Sequence, residues 1–293
     1  MATSTPSAPV RPLLWLFIGS ICISFAPIFI RLADVSPDSA GFYRMLFAAI
    51  SLFILMRFKA VSLLMHRKTL LLLVCSGLFL SFDFMCWHRS IHYVGPGLST
   101  LIANFQVFFT AIFSCLLFRE KISRIFIVAV LMAVFGMFFI TGVDLGSLDE
   151  GYRLGILFGV GTAVFYSAYI LFLKSAMNHQ DVSGVSAMLV VAITCSVFFS
   201  IITPVTGSSF IIPDATSFWA LAGAGVICTT IGWSLISAAI KYTSASITSL
   251  FLLLQPALAF VWDVLFFSRP TEGREVVGVL LILSAIYVGT YRR

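Results

Sequence analysis

The sequence predicts an all-α membrane protein of ten transmembrane helices, organised as two inverted five-helix repeats. Three observations predict it: a composition too apolar for water, a succession of membrane-length apolar runs, and a correspondence between the two halves of the chain. Of 293 residues, 60% are hydrophobic and 10% charged, whereas soluble domains carry about 25% charged residues. A helix needs about 20 apolar residues to cross a hydrocarbon core about 30 Å thick. The backbone amides of such a segment must be satisfied within it, so each run is read as a helix.

In chain order, residues 1–12 are small and proline-containing and are expected to be disordered. Helices are expected at 13–33, 38–57, 69–91, 97–118 and 122–142, then at 153–175, 183–203, 216–240, 244–267 and 273–291. The first run follows Arg11, continues past 18 residues and lacks a small-residue exit, so it reads as an uncleaved helix rather than a signal peptide. Cys22, Cys75, Cys86, Cys115, Cys195 and Cys228 all fall inside apolar runs without metal-ligand spacing, and read as small buried hydrophobes. No cofactor is expected.

The net charge of +6 resides in the breaks between runs. On one face of the layout lie Arg11, Arg57, Lys59, Arg67, Lys68, Arg119, Lys121, Arg124, Lys174, Lys241, Arg292 and Arg293, and on the other Arg31, Arg89, Arg153, Arg269 and Arg274. Basic residues accumulate on the cytoplasmic side, so both termini are expected there, in a bacterial inner membrane.

The halves correspond. A shift of 143 lays Ser24 on Ser167, Arg31 on Lys174, Asp38 on Asp181, Gly41 on Gly184, Met45 on Met188 and Ala49 on Ala192. A shift of 149 lays Tyr93 on Tyr242, Gln106 on Gln255, Phe118 on Phe267 and Thr141 on Thr290. The change of shift falls at the longer loop around Pro204–Pro213. Repeats are therefore expected at 13–142 and 153–291. Five spans per repeat is an odd number, so the second copy enters the membrane from the opposite face. Inverted repeats are a transporter architecture, because the halves can exchange roles around a midplane site.

The stretches Tyr93-Val-Gly-Pro-Gly-Leu-Ser-Thr-Leu-Ile and Phe118-Arg-Glu-Lys-Ile, with Ala239-Ile-Lys-Tyr-Thr-Ser-Ala-Ser-Ile-Thr-Ser-Leu and Gln255-Pro256, resemble the EamA repeat of the drug/metabolite transporter superfamily. The likeness covers nearly all of residues 13–291. It implies a ten-helix carrier of amino acids, other metabolites or drugs, with bacterial aromatic-amino-acid exporters as the most similar group. Two positions depart from the pattern: the mid-helix proline is Pro256 but Val107 in the first half, and the glutamate after the fourth helix is Glu120 but Arg269 in the second.

Polar groups inside spans are functional candidates, because each costs several kcal/mol unless it faces a cavity or a partner. Asp83 lies in the third helix with His88 five residues on, about 140° around the helix. It reads either as a proton-titrating or ammonium-binding carboxylate, with protons as coupling ion, or as half of a structural pair. Gln106 and Gln255, midway along helices four and nine, are expected to share one central space. Phe109 and Phe113 follow the first at i+3 and i+7 and Trp262 follows the second at i+7, giving apolar walls. The alternative for each amide is an interhelical hydrogen bond worth about 0.6–2 kcal/mol. Asn104 is expected to pack away from Gln106; Arg44 reads either as a partner for a substrate carboxylate or, the favoured reading, as snorkelling to the outer interface. Pro27 and Pro256 free backbone carbonyls, as ligands, hinges or plain kinks. Tyr166, Tyr169 and Trp233 are further path-lining candidates among many aromatics, and the GxxxG from Gly155 to Gly159 reads as a helix-packing motif.

The sequence holds no GxxxxGK[ST], HExxH or GxSxG signature. The expected function is secondary transport of a small molecule, with export of amino acids including aromatic ones as the favoured reading. An intramembrane enzyme, or a channel or receptor, is the alternative.

Overall fold

The computed structural model of the chain describes residues 10–60, 63–141, 150–179, 182–268 and 271–291. Among them are apolar helices α1 (Arg11–Leu32), α2 (Pro37–Phe58), α3 (Arg67–Val94), α4 (Ser99–Phe118), α5 (Arg124–Ile140), α6 (Glu150–Met177), α7 (Gly184–Val205), α8 (Ala215–Ile240), α9 (Ala245–Phe266) and α10 (Gly273–Thr290). All are long and apolar enough to cross a membrane except α5, which is shorter. The first helix begins at Val10, so the last residues of the expected disordered segment are helical. Residues 1–9, with Asp181, Arg269, Arg292 and Arg293, lie outside the described residues.

Local chemistry sets the helix starts. Ser36, Ser183, Asp214 and Ser244 each accept a hydrogen bond from a backbone N–H three residues on, supplying one of the donors that a helix N-terminus leaves orphaned. Between α3 and α4 the chain doubles back, and Ser99 Oγ donates to the Trp87 carbonyl at 3.5 Å.

Packing follows one pattern. α3 lies on α6 and α1 on α8; α4 lies on α6 and α1 on α9; α2 packs on α7, α4 on α9 and α5 on α10. Advancing each helix number by five, with α6 returning to α1, turns each of the first four pairs into another of them and each of the last three into itself. Small residues bring the first two pairs together. A Cβ on Gly155 of α6 would sit 2.4 Å from Val94, and one on Gly19 of α1 would sit 2.8 Å from the Gly232 carbonyl of α8. Such backbone approach is how helices gain van der Waals contact in lipid, where burial of apolar surface gives no drive.

Two backbone features recur 149 residues apart. The helical ladder is interrupted at Asn104–Phe105 in α4 and at Leu253 in α9, just before Gln106 and Gln255. Each helix then ends on a left-handed residue, Arg119 with φ 54° and Ser268 with φ 50°.

Candidate substrate cavity

A cavity of about 700 Å³ opens between the helices, a size that suits a small organic molecule. Its walls come from the C-terminal parts of α1, α3, α5 and α9 and from the N-terminal parts of α2 and α4, with Thr162 and Tyr166 of α6 and Trp233 of α8 completing the lining, so it occupies one half of the bundle. One wall is a stripe of α3: Leu80, Asp83, Phe84, Trp87 and Ile91 stand at i, i+3, i+4, i+7 and i+11 and share a helix face.

Arg44 of α2 faces this stripe. Its Nε–H donates to Thr229 Oγ1 at 3.2 Å, and its guanidinium carbon lies 5.5 Å from the centre of the Phe84 ring, a cation–π distance. Thr229 sits in a π-helical stretch of α8, Ala224–Trp233; such widened turns are frequent at functional sites. The stretch ends on Trp233, which forms the floor with Tyr166 of α6, their rings edge to face at 6.2 Å. Beneath them Tyr169 meets Trp233 edge-on at 4.9 Å and is fully buried, sealing the floor.

Several polar groups of the lining are left for a guest. Asp83 is 6% exposed and Arg44 acts on it electrostatically, yet no ion pair joins them and the carboxylate has no hydrogen-bond partner among the described residues. Gln255 and Tyr166, both half-buried, line the cavity without a side-chain hydrogen-bond partner among the described residues, and Thr162 Oγ1 is buried without one there. Buried polar groups are nearly always satisfied, so these are the positions for water or a ligand.

The structure separates the residues expected to form one site. Asp83 and Gln255 line the cavity; Gln106, Phe109, Phe113, Trp262 and His88 do not. Gln106 is 1% exposed and spends its groups inside the bundle: its Nε2–H donates to the Ser249 carbonyl at 3.3 Å, and its Oε1 accepts from Thr110 Oγ1 at 3.1 Å. The buried face of α4 continues through Thr110 and Ser114, which leaves Phe109 and Phe113 stacked beside it at 6.4 Å, with Phe113 facing out of the bundle. Trp262 turns to α1, donating from Nε1 to Ser24 Oγ at 2.7 Å and stacking on Phe25 at 4.6 Å. His88 lies about 140° from Asp83 around α3, its Nδ1 buried without a partner.

Two expectations are corrected. Arg44 does not snorkel outward but lines the cavity, because Thr229 and Phe84 hold its head inside. Asn104 also lines the cavity rather than packing away from it: it stands apart from Gln106 as its spacing implies, but the cavity lies on the side of Asn104 and not on that of Gln106; its Nδ2–H donates to the Thr100 carbonyl at 2.7 Å. Pro27, Pro256, Tyr166 and Trp233 all belong to the lining. Trp87 and Phe84 were legible from their spacing to Asp83 on one stripe.

Ten apolar helices around a cavity with opposite charges define a polytopic membrane protein built around a polar interior site. The EamA-like transporter family profile matches twice, over residues 10–142 and 153–291. The chain belongs to this family of membrane transporters, whose partners are a small-molecule substrate and the lipid bilayer. It is 23% identical over 245 residues to the pseudopaline exporter CntI of Pseudomonas aeruginosa (strain UCBPP-PA14), covering 83% of this chain and 82% of that one. It is 23% identical to a probable amino-acid metabolite efflux pump of Escherichia coli (strain K12), covering 82% and 83%. It is 26% identical to the inner membrane transporter YhbE of the same strain, covering 86% and 82%. A solved structure of 16% identity superposes with a TM-score of 0.83 over 96% of this chain and 97% of the other, showing the same fold.

Proposed function

We propose that this protein exports small zwitterionic metabolites, amino acids with aromatic side chains among them, by alternating access around the central cavity. The observation that carries this reading is the pairing of Arg44 with Asp83 in one aromatic-walled cavity, each free of an ion pair. An α-carboxylate fits the guanidinium, an α-ammonium fits the carboxylate, and a flat side chain fits among Phe84, Trp87, Tyr166 and Trp233. Desolvated charges demand such partners, and a zwitterion supplies both. The resemblance to an amino-acid metabolite efflux pump supports the same class. When substrate leaves, a proton is the simplest replacement partner for Asp83, which makes protons the coupling ion of this proposal.

The two family matches, the recurring helix interruptions and the packing pattern support reading 13–142 and 153–291 as inverted repeats. The charge bias puts both termini in the cytoplasm and the open mouth of the cavity outside. A reporter fused after Arg293 should read cytoplasmic; an external C-terminus would contradict the inverted arrangement.

The transport reading is tested with purified protein in proteoliposomes. Vesicles loaded with unlabelled phenylalanine should take up labelled phenylalanine by saturable counterflow, whereas flux without saturation or counterflow would mark a channel.

A further inference from the structure

The half of the bundle without the cavity is closed where α4 meets α9, and the contacts there form a fastening. Glu120, just after α4, accepts from the first amides of α9: Oε1 from Ala245 N–H at 2.8 Å, and Oε2 from Ser246 N–H at 3.3 Å and from Ser246 Oγ–H at 2.8 Å. Further in, the Ser114 and Ser246 hydroxyls are 2.8 Å apart, and Gln106 reaches the Ser249 carbonyl. From α6, the Lys174 ammonium donates to the Ile240 carbonyl at 2.6 Å and to the Thr243 carbonyl, at the end of α8. The α8–α9 turn is thus gripped by an anion at the start of α9 and a cation at the end of α8, each the sign that the helix dipole favours there.

We infer that Glu120 and Lys174 form a latch that holds this end of the transporter shut while the other end is open, with Gln106–Ser249 as its inner bolt. This rests on the alternating-access reading above. In the sequence Glu120 has no acidic counterpart one repeat on, whereas Lys174 has a basic one: a shift of 143 lays Arg31 on Lys174, and Arg31 lines the cavity. One repeat on, Glu120 corresponds to Arg269, Ser114 to Asp263, and Ser244–Ser246 to Gly95–Gly97. A change at Glu120 therefore weakens one closed state and leaves the other untouched, which tilts the balance between them. The open end also carries the groups that would complete the exchange. Gln255, the counterpart of Gln106, has no side-chain hydrogen-bond partner among the described residues, and Thr100, the counterpart of Ser249, lines the same cavity with its carbonyl taken by Asn104.

Hydrogen exchange on the whole protein in detergent, without substrate, tests the latch independently of what is transported. Glu120→Ala should speed exchange of amides 244–249 by about tenfold, the worth of one charge-assisted hydrogen bond. At the same time it should slow exchange at 99–106 and 255–261, as the cavity end closes in compensation. Lys174→Met should give the same reciprocal pattern, and serves alone if the glutamate variant does not fold. Faster exchange confined to 244–249, or no change at either end, would overturn the latch and leave Glu120 as a local helix cap. Retained counterflow in such a protein would show that the transport reading survives without it.

Discussion

Asp83→Asn should lower counterflow of phenylalanine by roughly 10–150-fold, the loss of a charge-assisted hydrogen bond of about 1.5–3 kcal/mol. The substitution keeps the shape of the side chain and removes only its charge, so the protein should still purify as a folded carrier. Arg44→Met should cost a similar factor by leaving the substrate carboxylate without its partner. It should also loosen the wall, because the guanidinium bridges Thr229 and the Phe84 ring. The two variants differ in one respect: if Asp83 exchanges substrate for a proton, Asp83→Asn abolishes the pH dependence of uptake and Arg44→Met preserves it. Equal pH profiles in Asp83→Asn and the unaltered protein would confine Asp83 to a structural role.

The second large effect separates residues that the sequence makes look equivalent. Gln255→Leu should weaken phenylalanine binding by about 1–3 kcal/mol, since a polar group of the bound ligand loses its partner in a dry site. Gln106→Leu should act mainly on stability, lowering the melting temperature, because it removes interhelical bonds to Ser249 and Thr110. Binding titrations and thermal unfolding of both variants in the same detergent measure the split. Equal loss of affinity with no change in melting temperature would mean that both amides contact substrate.

The contrast shows where sequence reasoning stops. Ten helices could be read from apolar runs because the bilayer fixes their length and leaves no other backbone structure available. Asp83 could be found because a carboxylate in a span needs a reason, and the α3 stripe it heads follows from helical spacing. Gln106 and Gln255 could be paired by the repeat, but not assigned. Under the proposed inverted repeat, a structure with one end open places one copy in the cavity and the other in the seal. The side of α4 that meets the cavity is marked by Asn104 and not by Gln106, and apolar spacing alone does not tell the two apart, so the Phe109–Phe113 and Trp262 stripes read as inward when they turn sideways. Arg44 was set at the interface because six residues from a helix start is within snorkelling reach. Its inward partner Thr229 lies on a π-helical segment about 185 residues away, which no local pattern announces.

The central claim is that one cavity reads both charges of its substrate, with Arg44 on the carboxylate and Asp83 on the ammonium. The most direct measurement is competition in counterflow of labelled phenylalanine by 3-phenylpropionate and by 2-phenylethylamine, each of which keeps the ring and one of the two charges. The account predicts that unlabelled phenylalanine competes fully and that each half-analogue is weaker by about tenfold or more. If either analogue competes as well as phenylalanine, the paired charges do not select the substrate and the assignment of the cavity is wrong.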